Sequence, residues 1–117
     1  ARLLQDTNRL AEAEPLMRRA LGIDEASYGP EHPEVARDLN NLARLLQDTN
    51  RLAEAEPLMR RMVKIFLLFT RRTGHPHPHL QAAFGNYLGL LIEMGHNEEA
   101  IQRRVEELRA EVEAAPV

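Results

Sequence analysis

Nineteen residues of this chain occur twice without a change. Residues 1–19 read ARLLQDTNRLAEAEPLMRR, and residues 43–61 repeat that string at an offset of 42. A period of about 20–50 residues marks an array of stacked units, none of which can bury its apolar face alone. A weaker third copy follows at an offset of 45. His32-Pro33 returns as His77-Pro78, Asn41 as Asn86, Leu46 as Leu91 and Ala55 as Ala100, so three residues are inserted between Met62 and Thr73. The sequence begins at Ala1 in mid-repeat and reads as a piece of a longer array. The expectation is one domain of about two and a half repeats, partial over 1–31 and then 32–76 and 77–117.

Each unit reads as two helices. Val35, Leu39, Leu42, Ala43 and Leu46 recur at spacings of three and four, which is one stripe of an α-helix. Pro33 suits the first helical turn, where its missing N–H costs nothing. Thr49-Asn50 breaks the stripe and can cap the next helix, whose apolar positions are Leu52, Ala55, Met59, Met62 and Ile65/Phe66. The short connection forces an antiparallel hairpin. The same grammar predicts a cut-short helix over 1–6 and helices near 9–27, 33–48, 51–72, 78–94 and 97–114. Pro15 and Pro57 fall well inside their helices, where a proline removes a hydrogen bond; the repetition predicts a built-in bend.

The order Leu39-x-x-Leu42-Ala43-x-x-Leu46 followed by Ala55-x-x-x-Met59 is similar to the tetratricopeptide signature. The 42-residue period narrows the resemblance. So do the linker Gly29-Pro30-Glu31-His32-Pro33-Glu34-Val35-Ala36, the run Leu39-Asn40-Asn41-Leu42-Ala43 and the run Ala53-Glu54-Ala55-Glu56-Pro57-Leu58. Together they resemble the kinesin-light-chain type of tetratricopeptide repeat, a variant also abundant in bacterial scaffold and signalling proteins. The resemblance implies an all-α fold, a right-handed superhelical solenoid of antiparallel helix hairpins. Two positions depart from the pattern. Leu88 stands where the second repeat has Ala43, which predicts a looser or shifted helix contact, and Asn97 replaces Leu52 with loss of an apolar contact.

Composition limits the chemistry. There is no cysteine, hence no disulfide framework and no thiolate metal site or nucleophile. A net charge of −3 argues against nucleic-acid binding by bulk charge. No apolar run reaches the ~18 residues needed to span a membrane, and no signal pattern opens the chain. The expected compartment is the cytoplasm. No phosphate loop, zinc-protease motif or nucleophile elbow is present, and Ser27 stands alone among serines, so the reading is a non-enzyme without cofactors. His75-Pro76-His77-Pro78-His79 suggests a metal site, but the prolines turn successive imidazoles apart. The run therefore reads as a linker and not as a metal site.

The candidate function is protein binding. In a stack of hairpins the first helices line a concave groove. On residues 33–48, Arg37, Asn41, Arg44 and Asp48 are spaced along one polar side, Arg2 is the first-repeat copy of Arg44, and Asn86 is the third-repeat copy of Asn41. An Asn amide donates and accepts at once and so can hold a peptide backbone; arginines grip carboxylates. The family resemblance likewise implies peptide contact at Asn41 and Asn86. The expected ligand is an extended protein or peptide segment carrying acidic residues. The apolar run Ile65-Phe66-Leu67-Leu68-Phe69 either packs on the third repeat or forms a self-association patch through Phe66, Leu67 and Phe69, giving a homodimer.

Overall fold

The structure is a computed structural model that describes the backbone of residues 4–116 and the side chains of residues 9–116. Its five helices are α1 (Leu4–Tyr28), α2 (Pro33–Asp48), α3 (Leu52–Thr73), α4 (Leu80–Glu93) and α5 (Glu98–Ala114), and no strand occurs among the described residues. The fold is all-α, as the periodicity predicts.

Local chemistry sets the helix ends. The Nδ1 of His32 accepts the Glu34 N–H at 3.0 Å, which caps α2, while Pro33 occupies its first turn. That satisfies one of the donors a helix start leaves open. Tyr28 stacks on the His32 ring at 4.5 Å and holds the cap against the end of α1. Gly74 closes α3 in the left-handed region, with φ 77°, where a side chain would be strained. At α5, Asn97 accepts the Ala100 N–H at 2.9 Å. The Asn that replaces Leu52 thus exchanges an apolar contact for a cap that α3, begun at Arg51, lacks.

The core lies between α2 and α3. Ala43 and Ala55 are both fully buried, and small residues there let the two helices touch along their length. Leu39, Leu42 and Leu46 of α2 and Met59, Met62 and Val63 of α3 fill the space around them. Each such side chain contributes about 1.5–3 kcal/mol by leaving water. α4 adds Tyr87, Leu90 and Leu91. α5 leans on α3 more than on α4. Arg60 pairs with Glu111 at 2.6 Å, and Arg71 donates to the carbonyls of Val112 and Ala115. Leu88, standing where the second repeat has Ala43, accompanies the sparse α4–α5 contact that its bulk predicts.

One expectation fails. The string at 43–61 is helix, turn, helix, but its identical copy contributes residues 4–19 to one uninterrupted helix, so the break near Thr7-Asn8 is absent. The turn after α2 is held from outside. Asn50 sits in the left-handed region with φ 61°, and Arg51 is gripped by both oxygens of Glu14, on α1, at 2.5 and 3.1 Å. Among the described residues Arg9, the copy of Arg51, has no ion pair. Without that outside hold, propagation adds one hydrogen bond per residue and the helix continues.

The molecule measures 45 × 38 × 20 Å with a radius of gyration of 14.8 Å. A compact domain of this length has a radius near about 13 Å. The slab shape is what stacked helix pairs produce. No helix among the described residues is long and apolar enough to cross a membrane.

Candidate functional site

α2 and α4, the first helices of their repeats, lie side by side. Asn86 Nδ2 donates to Asn40 Oδ1 at 3.3 Å, and Gln47 Nε2 donates to Glu93 Oε1 at 2.6 Å. Both bonds join residues 46 apart and are separated by two helical turns, so they mark one seam between two helices. Toward the start of the helices the seam opens into a groove of about 460 Å³. Met62, Phe66 and Ala83 form its apolar floor, and Arg37, Asn40 and Asn86 stand on its rim.

The His77-Pro78-His79 segment forms one wall. The Nδ1 of His77 accepts the His79 N–H at 3.1 Å, the same turn that His32 makes with Glu34. The His77 ring lies 4.5 Å from the Phe66 ring and meets Phe69 edge-on at 4.9 Å. Burial, and then the nearby His79, hold its pKa below the ordinary histidine value. The imidazole therefore presents a neutral face near pH 7. Among the described residues no three His, Asp or Glu side chains converge as a metal site.

The residues singled out from sequence separate here. Arg37 is on the rim, exposed and paired with Glu34 at 3.1 Å. Asn86 is on the rim, where it donates to Asn40. Asn41, Arg44 and Asp48 are exposed on α2 beyond the groove wall. Arg44 has no ion pair among the described residues, so its charge faces solvent. Arg2 lies outside the described residues. The 65–69 segment is interior rather than a free patch. Phe66 is 4% exposed within the core, Leu67 packs against that core, and Phe69 is partly covered and meets His77. The three extra residues lengthen α3, so its apolar side meets the incoming His77-Pro78 turn.

Sequence reasoning missed Asn40 and the two histidines as groove residues. Asn40 and Gln47 share a helical face seven apart, as Asn86 and Glu93 do, and that matched spacing was the available signal. The groove can accept an apolar side chain on its floor while the amides bond to a main chain above it. A family model described as tetratricopeptide repeat matches residues 1–68, more than half of the chain. Among curated proteins no match was found.

Proposed function

The chain belongs to the tetratricopeptide repeat family, and from that premise we propose that it is a non-enzymatic scaffold holding an extended partner segment along the concave side of α2 and α4. Repeats of this family are generally protein–protein interaction modules. The observation that carries the reading is the groove: an apolar floor of Met62 and Phe66 beneath a paired-amide rim of Asn40 and Asn86. Arg37 on its rim favours acidic residues in the ligand. The 42-residue period and the Gly29–Ala36 linker support the kinesin-light-chain type of repeat, a right-handed superhelical course and the division at 31/32 and 76/77.

The test compares fluorescently labelled extended peptides of equal length, acidic and basic, each with one central apolar residue. The expected result is tighter binding of the acidic peptide, weakened about tenfold or more by Asn40→Ala with Asn86→Ala, at unchanged helicity. Equal binding by the double variant would remove the groove assignment, and preference for the basic peptide would reverse the ligand chemistry. A second reading, self-association, draws support from Leu16 and Ile23, 64% and 58% exposed seven residues apart on α1. Light scattering over a concentration series reads it: a constant monomer mass removes the homodimer.

A further inference from the structure

His77 holds the turn it stands in through a lone pair. Its Nδ1 accepts the His79 N–H at 3.1 Å. A main-chain N–H can only donate, so while that bond exists the ring carries its proton on Nε2 and is neutral. The same ring closes the groove. It lies 4.5 Å from the Phe66 ring and meets Phe69 edge-on at 4.9 Å, and the His79 ring stands 5.4 Å away. His77, His79 and Phe66 all line the cavity between α2 and α4. One imidazole thus fastens the linker to α3 and shapes the ligand's seat.

Protonation undoes both contacts at once. An imidazolium has two N–H donors and no acceptor, so the His79 N–H loses its partner. The charge also arises beside a second imidazole and against two phenyl rings that accept no ordinary hydrogen bond. We propose that His77 is a proton-operated latch on the groove: the neutral ring holds the His77-Pro78-His79 wall against Phe66, and the protonated ring releases the wall and the ligand with it. The latch rests on the groove being the binding site.

The charges around the ring leave that response intact. On the linker, His75 is exposed and His79 opposes a second positive charge. On α2 the groove presents Glu34, which is paired with Arg37 at 3.1 Å. On α3, Arg72 is tied to Glu31 at 2.9 Å, and the rings that meet His77 are uncharged. α4 brings Ala82, Ala83 and Asn86 to the groove, none of them charged. The Phe66 face attracts a cation, but burial and then His79 hold the His77 pKa below the ordinary 6.5, so that attraction does not prevail. The folded pKa is lowered. The stabilisation from the neutral ring is therefore full above 6.5 and is lost as pH falls through the lower folded value. His32 makes the same turn, its Nδ1 accepting the Glu34 N–H at 3.0 Å, but its ring stacks on the exposed Tyr28 and not on Phe66. It serves as the internal control.

Binding of the labelled acidic peptide, with aspartate as its acid, tests the latch at about pH 7.5 and about pH 5.5, where aspartate stays ionised. Affinity should weaken about threefold or more at the lower pH. The five histidines gain positive charge over that interval, which by itself tightens an acidic peptide, so weakening has the opposite sign to a bulk-charge effect. His77→Asn keeps an acceptor for the N–H two residues on and has no proton to gain, so its binding should not weaken. His32→Asn should retain the wild-type response. Wild-type binding that is equal or tighter at pH about 5.5, a weakening kept by His77→Asn, or a response lost in His32→Asn overturns the latch. The ligand-free chain separates the latch from the groove reading. Nitrogen NMR of the His77 ring should show a proton on Nε2 alone at neutral pH, a midpoint below 6.5, and contacts with Phe66 that fade as the ring protonates. A midpoint at or above 6.5, or Phe66 contacts that persist, overturns the latch even where peptide binds. Absence of peptide binding at either pH removes the groove reading instead. The wild-type ring titration then decides the latch, as it does should His77→Asn fail to fold.

Discussion

Tyr87 is the largest fully buried side chain, and its hydroxyl donates to Glu56 Oε2 at 2.6 Å. Glu56 also faces Arg104 at 3.7 Å, so one phenol joins α4 to α3 and, through the carboxylate, to α5. Burial, and then Glu56, raise the Tyr87 pKa above the ordinary tyrosine value, so the group remains a donor at any working pH. Tyr87→Phe should lower stability by about 1 kcal/mol while keeping the fold, read as a denaturation midpoint at unchanged slope. Glu14, the copy of Glu56, serves the first repeat in the same way. Its hydrogen bond to Arg51, offset in part by burial, holds its carboxyl below the usual range. At both sites a glutamate on the second helix of a repeat reaches into the next, a role the string carries but cannot display without its neighbours.

At the scale of the element, the duplicated string separates propensity from context. Asn8 lies within α1, whereas Asn50, its copy, sits in the left-handed region. The same substitution should therefore have opposite signs at the two places. Asn8→Ala should stabilise by about 0.5 kcal/mol through helix propensity. Asn50→Ala should destabilise by about 1–2 kcal/mol, because alanine resists left-handed backbone. Thermal melting of the two single variants checks the sign. α4 offers a third test. Gly85 and Gly89 are exposed and helical, and a Cβ at either would meet nothing within 4 Å. Gly89→Ala should stabilise the chain by about 0.5–1 kcal/mol. A lowered melting temperature would show that this face of α4 is closer to a neighbour than its open space indicates. Asn97→Ala should cost about 1 kcal/mol and shift the fraying of α5, visible in exchange of the Ala100 amide.

For the whole molecule, stability is distributed along a stack. α2 and α3 form the dense middle; α5 is fastened to α3 by Arg60 and Arg71; and α2 carries the buried Asp38, whose Oδ2 has no hydrogen-bond partner. The helix pairs and the extra turn of α3 were legible in the sequence, because each rests on residues within a few positions: Pro33 in the first turn of α2 and the Leu39–Leu46 stripe. The caps were not: Thr49-Asn50, expected to cap α3, gives way to Arg51, which makes no side-chain cap bond. The groove was legible as a face but not as a set of residues. Periodicity places Asn40 and Asn41 a third of a turn apart, and only the packing of α4 on α3, which brings it alongside α2, chose Asn40 as the partner of Asn86. The two conformations of one string lay beyond any local reading. Local chemistry is identical in both copies, and the turn forms where Glu14 on another helix grips Arg51. The sequence by itself determined which segments become helix and which faces turn inward, since those depend on neighbours three or four residues away. The tertiary structure decided where a helix breaks and which amides meet, since those depend on residues about forty positions distant.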